Sequence, residues 1–177
     1  MGTFTETRYT PQGWVQYEWD ANRNLTEYEY DLAGKREAVI RYLDGRAIRH
    51  EYTYYPNGEL HTETDALDHT TTYVINALDQ RIETQFHNGT ATQQRYDAMG
   101  ARTRAIDQRN IATDYRSDGL GRLWQVQPDV QINNQRVPNT EYGYDEVGNK
   151  LTQTDANGHA TTWRYDYHGR VLSRTLP

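Results

Sequence analysis

The sequence predicts an all-β fold made of repeated antiparallel β-hairpins, and three observations predict it. A Tyr-Asp-x-x-Gly phrase recurs along the chain at a near-constant spacing of 21 residues. Between these phrases lie runs of about six residues rich in Thr, Tyr, Val and Ile with near-alternating polarity, which is strand length and strand composition. No segment combines a 3.6-residue apolar period with helix caps. Self-similarity at a fixed short period marks a repeat architecture, so the repeat sets the frame for every other element.

The clearest copies of the phrase are Tyr30-Asp31-x-x-Gly34, Tyr96-Asp97-x-x-Gly100, Tyr144-Asp145-x-x-Gly148 and Tyr165-Asp166-x-x-Gly169. Weaker copies are Tyr9 to Gly13, Tyr54 to Gly58, Ile75 to Asp79, and Ser117-Asp118-x-x-Gly121. The glycine position thus falls at 13, 34, 58, 79, 100, 121, 148 and 169, which predicts a single array of about eight units over residues 1–177. In each phrase Asp can fold its carboxylate back onto the turn backbone and Gly supplies a positive φ. A second turn is expected seven residues after the glycine, at Asp20, Asp65, Asp107 and Asp155. Twenty-one residues therefore hold two short strands and two tight turns.

Two intervals are long. Three extra residues are expected between Gly34 and Asp44, and six near Gln127–Asn139. In the latter, Asn133-Asn134 reads as a two-residue turn joining Val130–Ile132 to Gln135–Val137, a small hairpin projecting beyond its neighbours.

The columns of the repeat define faces. Six residues before the glycine position stand Tyr28, Tyr52, Tyr73, Tyr115, Tyr142 and Trp163. Two residues later comes the tyrosine of the phrase, and residues two apart on a strand share a face. These columns predict an aromatic stripe packed on one side of a sheet. Glu29, Arg116 and Arg164, interleaved between them, are expected on the wet side.

Composition narrows the possibilities. Leu, Ile, Val and Phe total only 28 of 177 residues, too few for a thick aliphatic core. Fifteen Tyr and four Trp compensate, because their rings pack on one side and hydrogen-bond on the other. Cysteine is absent, so neither disulfides nor thiolate zinc sites hold the fold together. A net charge of -6 speaks against nucleic acid as a partner. No apolar run has the length of a membrane span or a secretory leader, so no targeting signal is read in these residues.

The phrase Tyr-Asp-x-x-Gly-[Asn/Arg]-x-Leu followed by Asp-x-Asn-Gly resembles the YD repeat of bacterial RHS proteins, found also in toxin-complex components and animal teneurins. The resemblance runs from Tyr9 to Leu176. It implies a strip of hairpins that winds into a hollow shell, which in bacterial relatives encloses a polymorphic toxin domain. The family's autoproteolytic segment has no counterpart in these residues. The chain starts and stops in mid-pattern, which predicts a segment of a longer bacterial protein, secreted or displayed at the cell surface. Its expected partners are the remainder of the parent shell and an enclosed effector. Open sheet edges add the expectation of self-association.

Turn chemistry accounts for the residues that could carry sharper chemistry. The aspartates Asp31, Asp97, Asp118, Asp145 and Asp166 form a ladder that could hold metal, but each is fully explained as the cap of its own turn. Asp155-x-Asn157-Gly158 lacks the further carboxylates of a calcium loop. None of the six histidines has two co-ligands nearby in sequence. No nucleophile elbow, zinc-protease helix or phosphate-cradling loop is present. The expectation is a structural protein with no catalytic residue, metal or cofactor. The alternative is a surface adhesion or carbohydrate-binding module that uses the aromatic rows.

Overall fold

A computed structural model describes residues 5–132 and 135–177, and the fold is all-β. The chain forms two compact units, residues 1–90 and 91–177. The first contains β1 (Glu6–Tyr9), β2 (Val15–Trp19), β3 (Leu25–Tyr30), β4 (Arg36–Leu43), β5 (Arg46–Tyr54), β6 (Leu60–Thr64), β7 (Thr70–Ile75) and β8 (Arg81–Gln85). The second contains β9 (Ala91–Tyr96), β10 (Arg102–Ile106), β11 (Ala112–Ser117), β12 (Leu123–Pro128), β13 (Gln131–Ile132), β14 (Gln135–Arg136), β15 (Thr140–Tyr144), β16 (Lys150–Thr154), β17 (Ala160–Tyr165) and β18 (Val171–Thr175). Within each unit consecutive strands pair antiparallel in chain order, except that β12 pairs with β15 and the ribbon β13–β14 stands off the sheet.

Both turns of the repeat have one geometry. In the first, Gly34 N–H donates to Asp31 O at 3.1 Å and Asp31 N–H donates to Lys35 O at 2.8 Å. Gly34 has φ +84°, so the turn ends in a left-handed residue where glycine costs least. The second turn repeats this around Asp20, with Arg23 in the left-handed position at φ 66°. Asp68 and Asn110 take that position elsewhere, residues whose short polar side chains tolerate it better than most.

The return strand of each hairpin carries a bulge. Glu29 pairs with Ala38 while Tyr30 pairs with Arg36, which leaves Glu37 without an opposite number. The same slip occurs at each of the eight tyrosine-column positions, from Arg8/Tyr9 to Arg164/Tyr165. Bulges increase local twist, so every unit bends its sheet at the same place.

The two length anomalies resolve differently. The long first hairpin is closed by Asp44 (φ 50°) and Gly45 (φ 76°), a two-residue turn between Leu43 and Arg46. The three-residue excess does not lie wholly before Asp44. Each arm gains three residues while the five-residue connection shrinks to two, because an Asp-Gly turn matches strand twist without a bulge. In the second anomaly Gln131 pairs with Arg136 and Ile132 with Gln135, and Val137 N–H donates to Val130 O at 2.8 Å. The excess forms a separate ribbon, while β12 and β15 keep the sheet ladder through Gln125↔Glu141 and Val126↔Thr140. The proposed Asn133-Asn134 turn lies outside the described residues.

Burial is thin. Among the described residues no large side chain is fully buried; Ala38 (0% exposed), Ala112, Gln125, Ile40 and Tyr73 are the most enclosed. Each sheet is a single layer, so apolar groups are covered by neighbouring side chains rather than by a second layer. Ala38 shows how: it sits in register between Glu29 and Glu51, and Arg49 bridges those two carboxylates at 2.7 Å each.

Candidate functional site

The residues singled out from sequence converge on the junction between one hairpin unit and the next. Each phrase aspartate caps its own turn. Asp118 Oδ1 accepts the N–H groups of Leu120 and Arg122, both at 2.9 Å. Asp31, Asp97, Asp145 and Asp166 do the same two and four residues on. The glycines Gly34, Gly100, Gly121, Gly148 and Gly169 all take positive φ. The backbone N–H of Arg122 is the first cause that holds the Asp118 carboxyl below its ordinary value, with the Arg122 side chain adding to it. Asp166 is lowered in the same way by the Arg170 backbone N–H, and Asp145 first by the Asn149 side-chain amide and then by its backbone N–H.

The phrase tyrosine then reaches back to the preceding unit. Tyr30 Oη donates to Val15 O at 2.6 Å, Tyr54 Oη to Arg36 O at 2.9 Å, Tyr144 Oη to Leu123 O at 2.7 Å, and Tyr165 Oη to Lys150 O at 2.9 Å. The acceptor is always the carbonyl two residues after the preceding glycine. Tyr96 Oη donates to Gln94 within its own strand. Ile75 and Ser117, in the same column, cannot make this reach. Near the first of these, Tyr55 Oη donates instead to Tyr73 O at 2.8 Å.

A third contact runs forward. The residue just after the glycine leans onto the next unit's turn. Trp14 lies against Gly34, where an added Cβ would come within 2.5 Å of its ring, and it packs on Tyr30 at 5.3 Å between centroids. Lys35 donates to Gly58 O and lies 4.8 Å from the Tyr54 ring. Arg122 donates to Asp145 O at 2.7 Å and lies 4.9 Å from the Tyr144 ring. Glycine is thus required at Gly34 for close approach as well as for φ.

The aromatic column is a ladder of rings and cations rather than a dry stripe. Arg36 covers Tyr28 at 4.6 Å, Arg81 covers Tyr73 at 3.8 Å, Arg102 covers Tyr115 at 4.3 Å, and Lys150 covers Trp163 at 4.3 Å and Tyr142 at 5.8 Å. Tyr28 and Tyr73 also donate to Glu18 and Glu63, both at 2.6 Å. Tyr73 is 8% exposed; Tyr28, Tyr52, Tyr115, Tyr142 and Trp163 are half-buried. Glu29 is tied to Arg49 on the other face, and Arg116 and Arg164 are exposed. The cations were not legible as partners: they lie two residues past the glycine, next to the bulge, and the bulge has no residue signature.

Among the described residues no group of three or more His, Cys, Asp or Glu is placed to hold a metal ion. His69 and His159 sit four residues after Asp65 and Asp155 and pair with them at 3.1 and 3.4 Å. His69 also stacks on His87 at 3.8 Å. A shallow depression of about 840 Å³ lies over Leu151, Trp163, Tyr165 and Tyr167. No buried side-chain polar atom lacks a hydrogen-bond partner among the described residues. Among the described residues no helix is long and apolar enough to cross a membrane.

Residues 144–177 match a family model described as RHS Repeat. Among solved structures, the chain is similar to that of TcdB2-TccC3-TEV, with a TM-score of 0.77 at 15% identity over 96% of this chain and 10% of that one. It is equally similar to TcdB2-TccC3, with a TM-score of 0.78 at 16% identity over 97% of this chain and 11% of that one. At such identities the likeness is one of fold, and the chain spans about a tenth of the length of those it matches. No curated protein matches it.

Proposed function

We propose that this chain, whose residues 144–177 match an RHS repeat, is a stretch of structural wall: part of a repeat shell that encloses or presents a separate effector domain. One observation carries this reading. The chemically capable side chains of the motif are committed to joining one unit to the next: the carboxylates cap turns, the phenols bridge strands, and the cations cover rings. An assembly that must enclose something needs many identical, register-locked joints and no moving parts. The repeat phrase resembles that of toxin-enclosing RHS proteins, and solved structures of similar fold carry the paired name TcdB2-TccC3. In this reading the chain has no reaction of its own, and its partners are the rest of the shell and the effector. The parent protein is bacterial and works outside the cell or at its surface. Limited proteolysis of the parent protein tests the reading. The effector segment should resist protease until the wall is opened by Arg122→Ala with Tyr144→Phe; equal cleavage before and after refutes enclosure.

A second reading, carbohydrate binding, is favoured by the depression beside Trp163, Tyr165 and the 90% exposed Tyr167. Rings of this kind stack sugars. A glycan array that stays blank for the protein, or a signal unchanged in Tyr167→Ala, disposes of it.

A further inference from the structure

One place in the aromatic column is left open. From Tyr28 to Trp163 the column holds a ring in every repeat but one, where Gln94 stands six residues before Gly100. The neighbouring strand does not make up the lost bulk. Opposite the rings stand Val39, Glu63, Thr84, Val126 and Gln153, whereas Gln94 faces Ala105, the smallest of the set. Ala105 in turn faces Thr113 on the next strand. A depression of about 510 Å³ lies over these three residues. Tyr115 lines one side of it, and Pro128 and Val130, at the foot of the β13–β14 ribbon, line another. The Gln94 carboxamide is tied to its own strand, where its Oε1 accepts from Tyr96 Oη at 2.9 Å. All these residues lie within the second compact unit and away from both ends of the chain, so the opening follows from the residue that occupies the column.

The cation for the missing ring is already in place. Arg36 and Arg81, two residues past their glycine positions, cover Tyr28 and Tyr73 of the same repeat. Arg102 holds that place after Gly100, but its own repeat offers Gln94 and no ring. It lies instead 4.3 Å from the Tyr115 ring of the next repeat. Lys150 shows that one cation can serve two rings, its own Tyr142 at 5.8 Å and the next repeat's Trp163 at 4.3 Å. We propose that the depression over Gln94, Ala105 and Thr113 binds one aromatic side chain, Tyr or Trp, exposed on a partner polypeptide. The partner's ring takes the place that the other repeats fill for themselves, with Arg102 between it and Tyr115. A planar π face gains from the guanidinium an attraction that a saturated sugar ring does not. The site stands whether or not the chain forms a shell.

Titration of the whole chain with N-acetyl-tryptophanamide, followed by amide NMR shifts, tests the site. Shifts at Gln94, Ala105 and Thr113 should saturate together, while methyl glucoside leaves them unmoved. Arg102→Ala should weaken binding about fivefold, the worth of one exposed cation–π contact. Gln94→Tyr should supply the ring from within the chain, so the saturable shifts vanish and the urea midpoint rises. The proposal is overturned by the absence of saturable shifts at these residues or by an equal response to methyl glucoside. Unchanged binding in Arg102→Ala, or a Gln94→Tyr variant no more stable than the original, overturns it as well.

Discussion

Tyr73 is the most enclosed ring of the aromatic column, and its truncation tests how a single-layer sheet is held together. The side chain is 8% exposed, donates to Glu63 at 2.6 Å and lies 3.8 Å from the Arg81 guanidinium. Tyr73→Ala removes all three contacts and leaves a void that a one-layer sheet can partly collapse. The expected loss is about 3 kcal/mol, the low end for large aromatic truncations. Tyr73→Phe keeps the ring under Arg81 and loses only the bond to a half-exposed carboxylate, so about 1 kcal/mol is expected. Tyr167→Ala, at a residue 90% exposed, should stay within about 0.5 kcal/mol. Urea unfolding read by circular dichroism and by tyrosine and tryptophan fluorescence gives all three values. Burial first, then the Glu63 bond, pushes the Tyr73 phenol up to about 12. Its stabilising contribution is therefore complete below the ordinary phenol range near pH 10 and is lost as pH climbs toward about 12. Tyr28, Tyr42, Tyr54 and Tyr144 are also raised, so phenolate absorbance should show a late-ionising fraction from which Tyr73→Phe removes one group. Equal costs for Tyr73→Ala and Tyr167→Ala would refute the idea that the ring–cation ladder carries the fold.

The turn aspartates should govern acid stability. Asp65, Asp107, Asp118, Asp155 and Asp166 are held below their ordinary range chiefly by backbone N–H donors, so their contribution is present above about pH 4 and lost as pH falls through the lowered folded-state values. Acid titration followed by circular dichroism should show unfolding beginning below that point; a pH-independent midpoint down to about pH 2 would contradict it. Asp118→Ala should lower the urea midpoint more than Asp118→Asn, because Asn keeps the accepting oxygen; equal losses would show the cap does not matter. Tyr165→Phe should speed hydrogen exchange at Lys150–Thr154 and Ala160–Tyr165 while leaving the first unit unchanged. Uniform acceleration along the chain would mean the phenol–carbonyl link is not local. Deleting Val130–Ile132 with Gln135–Val137 should leave a folded sheet, since Gln125 and Val126 already pair directly with Glu141 and Thr140. Global unfolding would show that the ribbon is structural.

Most of the architecture was legible because the turns announce themselves. Asp at the first turn position and Gly at the fourth are demanded by cap chemistry and by positive φ, so hairpin number and spacing follow from a few residues per unit. The bulge was not legible: it falls at Gln16, Glu37, His61, Ile82, Thr103, Trp124, Leu151 and Leu172, which share neither size nor polarity. Because the bulge re-aims the residue just before it, the cation partners of Tyr28 and Tyr73, Arg36 and Arg81, were hidden with it. Asp44 shows the opposite failure, a strong local signal misassigned. Read as one more Asp-x-x turn it placed the excess on one arm, whereas Asp44-Gly45 is a two-residue turn that lengthens both.

The junction geometry also explains how so lean a sequence folds. With few aliphatic side chains and no second layer, burial alone cannot set register, and a one-residue slip would exchange the two faces of every strand. The phenol–carbonyl links remove that freedom. Tyr144 can reach Leu123 O only when β15 and β12 are aligned as observed, and Arg122 can reach Asp145 O only in that same alignment. Each link is worth about 1 kcal/mol, small beside a core but repeated at successive joints. Stability then accumulates by nearest-neighbour terms, as in other repeat arrays, and a defect at one joint weakens its two neighbours most. Where Ile75 and Ser117 lack the phenol, those joints should be the first to open. Such a design favours a wall: length can be added unit by unit without asking any one residue to support the whole.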